Sequence, residues 1–273
     1  MAQSLLYGRR VVDHVRGLMS DEKVKARLAA RSPREAPLPD RPPAGNDATT
    51  AGLAARLAFV EKTCGIDVRP LAGEAGAPPP ESLRGNIENM IWFAQIPVGV
   101  IGPLRINGLY AHGDYFVPLA TTEGALVASY HRGAYVLSQA GGVSAICLAE
   151  SLARAPGFAF ETLTDAAGFM DWIVRNADSF RAAIEETTSH GKLLDIKLSS
   201  CGTLVYLIFE YETGDAAGQN MVTLATDNVC RHIVERTPYK PVRWYVEANL
   251  SGDKKASMTA FLGARGKKVV ASA

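Results

Sequence analysis

"PLATTEGALVAS", residues 118–129, places one carboxylate, Glu123, in a run of small and apolar residues at the mouth of an expected helix. A helix that had only to bury itself could take either threonine as its cap and run straight into Ala125, Leu126 and Val127. With Thr122 at the N-cap, Glu123 falls in the first turn, where unpaired N–H groups and the positive end of the helix dipole favour a negative side chain. The other reading makes Glu123 a general acid at the edge of a pocket, beside a Gly124 that lets a substrate come close. The stretch alone leaves both open. "YFVPLA" ahead of it reads as a strand leading into the helix, and the Gly141-Gly142 pair ends that helix.

Upstream, "IPVGVIGPLRING" (96–108) alternates apolar residues with glycine and proline, as short strands with sharp turns require. Downstream, 163–190 carries two amphipathic helical patterns, built on Phe169, Trp172 and Ile173 and on Phe180, Ala183 and Ile184. "KLLDIKLSS" and "TLVYLIFEYE" then read as strands, Gly214 and Asp215 open a helix to about Arg236, a strand follows near "VRWYVEA", and "MTAFLG" and "KKVVASA" close the chain. Helix, helix, strand, strand, helix, strand predicts an α+β unit with helices on one face of an antiparallel sheet. The first eighty residues look like an appendage. They hold an N-terminal helix, a proline-rich connection over 30–50 expected to be extended or mobile, a helix over 51–63, and a breaker cluster, "AGEAGAPPPES", at 72–82.

Composition narrows the class. The 273 residues are 47% hydrophobic and 21% charged, enough for a substantial core in one large or two ordinary domains. A net charge of +1 gives no global reason to expect nucleic acid or an anionic membrane as partner. No apolar stretch approaches the roughly 20 residues that span a bilayer, and Arg9, Arg10 and Asp13 interrupt any signal-peptide core. A cytosolic enzyme or binding protein is the expectation. Cys64, Cys147, Cys201 and Cys230 are far apart, and the five histidines are scattered, so no metal site is expected.

Two further stretches carry candidate chemistry. "TGDAAGQN" (213–220) is a glycine-flanked turn feeding a helix, with Asp215 as a plausible cap; such a corner suits phosphate or ribose, and a capped surface helix explains it equally well. "SGDKKAS" (251–257) sets Asp253, Lys254 and Lys255 in a polar turn. The lysines are either solvated surface charges or, with one turned inward, stabilisers of a developing oxyanion.

Taken in order, "ENMIWFAQIPVGVIGPL", "PLATTEGALVAS", "TGDAAGQNM" and "DKKAS" resemble the catalytic domain of the 3-hydroxy-3-methylglutaryl-coenzyme A (HMG-CoA) reductase family, and most of all its soluble bacterial members. The resemblance runs from about Arg84 to the last residue. It implies an α+β fold in which a large substrate domain holds an inserted smaller α+β, ferredoxin-like, cofactor-binding subdomain. The segments would be an N-terminal region at 1–80, the large domain at 81–156, the small subdomain at 157–247, and a return to the large domain at 248–273. The implied reaction is a two-step reduction of HMG-CoA to mevalonate and coenzyme A with NADPH, NADH remaining possible as the donor. Glu123 would donate a proton to the carbonyl oxygen and Lys254 would stabilise charge on it, with Asp253 and Lys255 lining the acyl site. Glu88, Asn89 and Pro97 would lie against coenzyme A, Arg154 at the substrate site or the cofactor site, and Asp215, Gly218 and Asn220 against the dinucleotide. The family's site forms between subunits, which implies a homodimer or a higher oligomer.

Departures from the family pattern carry their own expectations. Trp92 stands where a glycine is usual and would narrow the coenzyme A approach; Ala256 replaces a proline. Glu247 stands near a position held by a small hydroxyl residue in many members, where its charge would repel the acyl carboxylate. Family members continue past "VVASA" with a segment that supplies an aspartate, a glycine-rich turn and a histidine, so this chain by itself is expected to bind ligands without completing the reduction. The alternatives are a non-catalytic or altered homologue that binds an acyl-CoA or a dinucleotide, and a purely structural α+β dimerisation module.

Overall fold

The computed structural model describes residues 5–273 except 44, 46, 74–75, 189 and 259–265. The chain forms helices α1 (Leu5–Leu18), α2 (Asp21–Leu28), α3 (Thr50–Cys64) and α4 (Arg69–Ala72), then strands β1 (Val98–Gly108) and β2 (His112–Ala120). Next come α5 (Leu126–Gln139), β3 (Val143–Arg154), β4 (Gly157–Ala159), α6 (Leu163–Glu185), β5 (Lys192–Cys201), β6 (Leu204–Glu212), α7 (Gln219–Arg236), β7 (Arg243–Tyr245) and β8 (Gly266–Ser272). They group into two compact units, one of residues 21–146 with 271–273, the other of 1–20 with 147–270. The N-terminal region is shared between the units, and the break falls inside β3, which runs unbroken through both sides of it.

In the 147–270 unit, β6 pairs antiparallel with β5, β4 and the end of β3, and β7 extends β4. Helices α6 and α7 pack on each other, and α6 packs on β5 and β6. Their core joins Phe158, Phe169, Ile173, Phe180 and Ile184 to Val205, Leu207, Phe209 and Tyr211 of β6, with Val222, Val229 and Ile233 of α7. The two helical patterns expected over 163–190 are one helix, because Ala166, Phe169, Ile173, Ala177, Phe180 and Ile184 keep a 3-to-4-residue spacing across the polar stretch between them. Helix α1 docks through Arg10, which reaches Glu210 at 2.9 Å and Asp195 at 3.5 Å; Lys197 also pairs with Glu210.

In the 21–146 unit, β1 and β2 form one continuous hairpin with a bulge between Ile101 and Leu104, where separate short strands were expected. β1 also pairs in parallel with the first residues of β3, and α5 packs against β1. The proline-rich connection does not hang free at its start. Arg31 donates to Asn107 Oδ1 at 2.6 Å and to the carbonyls of Ile106 and Gly113, while Arg105, 1% exposed, grips Asp114 through two bonds at 2.7 and 2.8 Å and donates to the Arg31 carbonyl. The helix expected over 51–63 stops at Gly65 in the left-handed region, ahead of the 72–82 breaker cluster. Of the closing "MTAFLG" segment, residues 259 onward lie outside the described residues.

Candidate functional site

Arg154 ends β3, 8% exposed, and its guanidinium makes four bonds. Nε donates to Thr223 Oγ1 at 2.9 Å and Nη2 to the Gln219 carbonyl at 3.0 Å; Nη1 donates to its neighbour's carbonyl, Ala153, at 2.9 Å and to Asp253 Oδ2 at 3.3 Å. One planar fork thereby ties the first turns of α7 to the turn bearing Asp253, Lys254 and Lys255. Thr223 was not among the expected residues. Its helical spacing of four from Gln219 was the signal for it, since both then face β3.

α7 starts at Gln219, five residues later than expected, so Asp215 does not cap it. The cap position is Gly218 at φ 69°, with no side chain bonded to the helix N-terminus. Thr213 lies 2.6 Å from where a Cβ on Gly218 would sit and donates its hydroxyl to the Ala216 carbonyl, so the corner closes only around glycine. Asp215 and Asn220 are exposed on either side of it. The helix is anchored deeper by the Tyr211 hydroxyl, 2.8 Å from Thr226 Oγ1; burial pushes that phenol's pKa up.

The lysine turn holds three residues at positive φ: Asn249 (65°), Gly252 (75°) and Lys254 (54°). Lys254 is exposed and, among the described residues, its ammonium has no bonded partner; Lys255 donates to Asn249 Oδ1. The Asp253 N–H donates to Ser251 Oγ at 3.3 Å. The exposed Glu247 side chain bonds back onto the backbone. Its carboxylate accepts the N–H of Ala155 at 3.1 Å and, more weakly, that of Ser251 at 3.5 Å.

In the 21–146 unit the expected helix cap is also displaced. α5 begins at Leu126 with Ala125 at φ 64° in the cap position and no side-chain cap, leaving Glu123 in the turn before it. The helix dipole therefore does not account for a glutamate here. The Glu123 N–H donates to Thr121 Oγ1 at 2.9 Å, its side chain is exposed, and among the described residues nothing bonds its carboxylate. Thr121 in turn donates its N–H to the Pro97 carbonyl at 3.0 Å, which brings Pro97 and Glu123 to the same end of the β1–β2 hairpin. A Cβ on Gly99 would sit 2.8 Å from Val127, so glycine there lets the start of α5 close onto β1. Glu88 and Asn89 lie in an irregular exposed segment beside Ile91 and Trp92, Asn89 at φ 50°; among the described residues no bond links them to Glu123.

Solved structures share this fold. An HMG-CoA reductase from Streptococcus pneumoniae matches 71% of this chain and 47% of its own with a TM-score of 0.60 at 13% identity. A second, the class II enzyme of that organism bound to NADPH in open conformations, matches 71% and 54% with a TM-score of 0.60 at 14% identity. At those identities the likeness is one of fold. Sequence carries the rest: the hydroxymethylglutaryl-coenzyme A reductase family model matches residues 52–273. The reductase of Pyrococcus abyssi is 44% identical over 220 residues, covering 80% of this chain and 53% of the relative. That of Methanothermobacter thermautotrophicus is 40% identical over 217 residues, covering 79% and 54%. The chain belongs to the hydroxymethylglutaryl-coenzyme A reductase family. It spans about half the length of these curated relatives, which are archaeal, while the bacterial likeness above is structural.

Proposed function

We propose that this chain carries acyl, coenzyme A and dinucleotide recognition for the reduction of HMG-CoA to mevalonate and coenzyme A. The observation that carries the reading is the Arg154 fork, which fixes a phosphate-type helix corner and a lysine turn to one strand end. The donor set of that corner suits a dinucleotide: backbone N–H groups at the start of α7 for phosphate, and the exposed Asp215 and Asn220 for hydroxyls and amides. When bound, NADPH would supply one hydride to the thioester carbonyl carbon, coenzyme A then leaving as its thiol, and a second NADPH would supply one to the aldehyde so formed.

Lys254 places an ammonium against the oxygen that turns negative as hydride arrives, and Asp253 and Lys255 border the acyl group. Glu123 donates the proton that neutralises this oxygen. Glu88, Asn89 and Pro97 lie along coenzyme A, and Arg154 holds the acyl side of the site through Asp253. A cytoplasmic homodimer acting in isoprenoid formation belongs to the same proposal; among the described residues no helix is long and apolar enough to cross a membrane.

Calorimetry of the chain with HMG-CoA, coenzyme A, NADPH and NADH tests the reading. Saturable binding of HMG-CoA and of at least one dinucleotide is expected, with NADPH the tighter. Binding of neither class of ligand would sink it. Binding of acyl-CoA thioesters regardless of the acyl group would favour the altered-homologue reading.

A further inference from the structure

The acidic residue at 247 sits where its charge, facing an acyl carboxylate, would oppose the proposed ligand, yet its carboxylate is turned onto the backbone. Ala155 is fully buried, and its N–H has Glu247 Oε2 as acceptor at 3.1 Å. One residue away, the Ala248 N–H donates to the Ala155 carbonyl at 2.8 Å, so residues 247–248 satisfy both polar groups of Ala155. From there the contacts run on around a ring. Glu247 Oε1 receives the Ser251 N–H at 3.5 Å, the buried Ser251 receives the Asp253 N–H on Oγ at 3.3 Å, and Asp253 pairs with Arg154, the residue before Ala155.

The ring borders the residues held at positive φ. Asn249 and Gly252 lie between Glu247 and Asp253, and Lys254 directly follows Asp253; of the three, Lys254 carries a side chain that rarely adopts this backbone region. Such a turn persists when the surroundings fix it at both ends. Arg154 fixes the end at Asp253, and Glu247 fixes the end where the chain leaves Tyr245 and β7. Gly157 shows how close this corner is packed, since a Cβ there would lie 2.8 Å from the Ala248 Cβ.

We propose that Glu247 is a positioning residue for the lysine turn: its carboxylate holds the Ala155 and Ser251 N–H groups and so sets where Lys254 and Lys255 meet the acyl end of the ligand. This rests on the function proposed above for those lysines. The inference also reverses a sign. A carboxylate that faced the ligand would repel it, and neutralising Glu247 would tighten HMG-CoA binding; a carboxylate that holds the turn makes the same change weaken it.

The test compares Glu247→Gln, which keeps one acceptor, and Glu247→Ala, which keeps none, with the unsubstituted chain. Backbone amide exchange at Ala155, Ser251 and Asp253 is read alongside calorimetry with HMG-CoA, coenzyme A and NADPH. Exchange at these amides is expected to quicken about tenfold in Glu247→Ala and less in Glu247→Gln, with Phe209 and Val229 unchanged. HMG-CoA affinity is expected to fall roughly fivefold or more, in the same order, while coenzyme A and NADPH stay within about twofold. Tighter HMG-CoA binding, unchanged exchange, or quicker exchange with unchanged HMG-CoA affinity would each overturn the proposal. If the unsubstituted chain bound no HMG-CoA, the functional reading would fall by itself, and the exchange data alone would decide whether Glu247 holds the turn.

Discussion

The two turns that carry the proposed site are held in different ways. Around Lys254, side chains do the holding: Arg154, Glu247 and Ser251 each bond the turn, and two of the three are buried. Around Glu123, the Thr121 hydroxyl and the Pro97 carbonyl do it, and the rest is the close approach of Val127 to Gly99. The lysine turn can therefore be loosened by one substitution within it. The glutamate turn is as stable as the hairpin beneath it, and that hairpin is tied down by Arg105, Asp114 and Arg31. Local polar bonding positions one half of the chemistry; a distant, partly buried ion pair supports the other.

The largest effect is therefore expected outside both turns. Arg105→Ala leaves Asp114 without its two-bond partner and strips donors from the Arg31 and Pro37 carbonyls, which should cost about 3–5 kcal/mol. Urea unfolding followed by residue-resolved hydrogen exchange should place the loss in residues 21–146 and spare the Phe209 core. A loss below about 1 kcal/mol would mean that the hairpin does not depend on this pair. Arg154→Ala comes next. It removes charged bonds to Asp253, Thr223 and the Gln219 carbonyl, for about 2–3 kcal/mol. It should quicken exchange in 213–221 and 249–255 together, and Arg154→Lys should not restore it, because an ammonium lacks the planar fork. Loosening of only one of the two segments would break the view that a single side chain joins them.

Acid should separate the units as well. Bonding to Arg105, aided by the charges of Arg105 and Arg31 and opposed by burial, holds the Asp114 carboxyl below its ordinary value of 3.8. Burial, with Arg31 and Arg27 nearby, lowers His112 from 6.5. Both folded values lie below the unfolded ones, so each contribution is complete above the unfolded value and is lost as pH falls through the folded one. Stability of residues 21–146 should fall in two stages, one beginning below about 6.5 and one below about 3.8. Arg105→Ala should flatten the second stage. A urea midpoint independent of pH from 7 to 3 would show that neither group is coupled to folding.

Much of this was legible before any coordinates, and the misses share a cause. The β6 alternation, the α6 apolar spacing and the helix over 51–63 are local patterns; β6 and that helix form where they are read, and α6 is one helix where two are expected. β3 was not seen, because "VSAICLAESLAR" is rich in alanine, leucine and serine and becomes a strand only by pairing with β1, β6 and β8. The helix starts at Thr122 and Asp215 were misplaced for a related reason. In both cases a residue at positive φ, Ala125 or Gly218, takes the cap position, and no threonine or aspartate side chain is needed there. The site motifs themselves stood in the sequence. That the Glu247 carboxylate bonds the Ala155 N–H did not, since nothing local to it marks a residue ninety-two positions earlier as its partner.

The smallest expected effect bears on what the two turns share. Each carries a non-glycine residue in the left-handed region, Lys254 at φ 54° and Ala125 at φ 64°. Glycine adopts that region without a Cβ clash, so Lys254→Gly and Ala125→Gly should each raise stability by about 0.5–1 kcal/mol, less what the more flexible unfolded chain takes back. Lys254→Ala is the control. It deletes the same exposed ammonium but keeps the Cβ, and should stay within about 0.5 kcal/mol of the unsubstituted chain. HMG-CoA affinity should fall in both Lys254 variants, because the ammonium is gone from each, whereas Ala125→Gly removes no charged group and should leave it within about twofold. If Lys254→Gly proves no more stable than Lys254→Ala, the turn is not strained at Lys254. If Ala125→Gly alone is stabilising, the contrast sharpens: the side-chain-held turn has absorbed its strain, and the backbone-held turn has not.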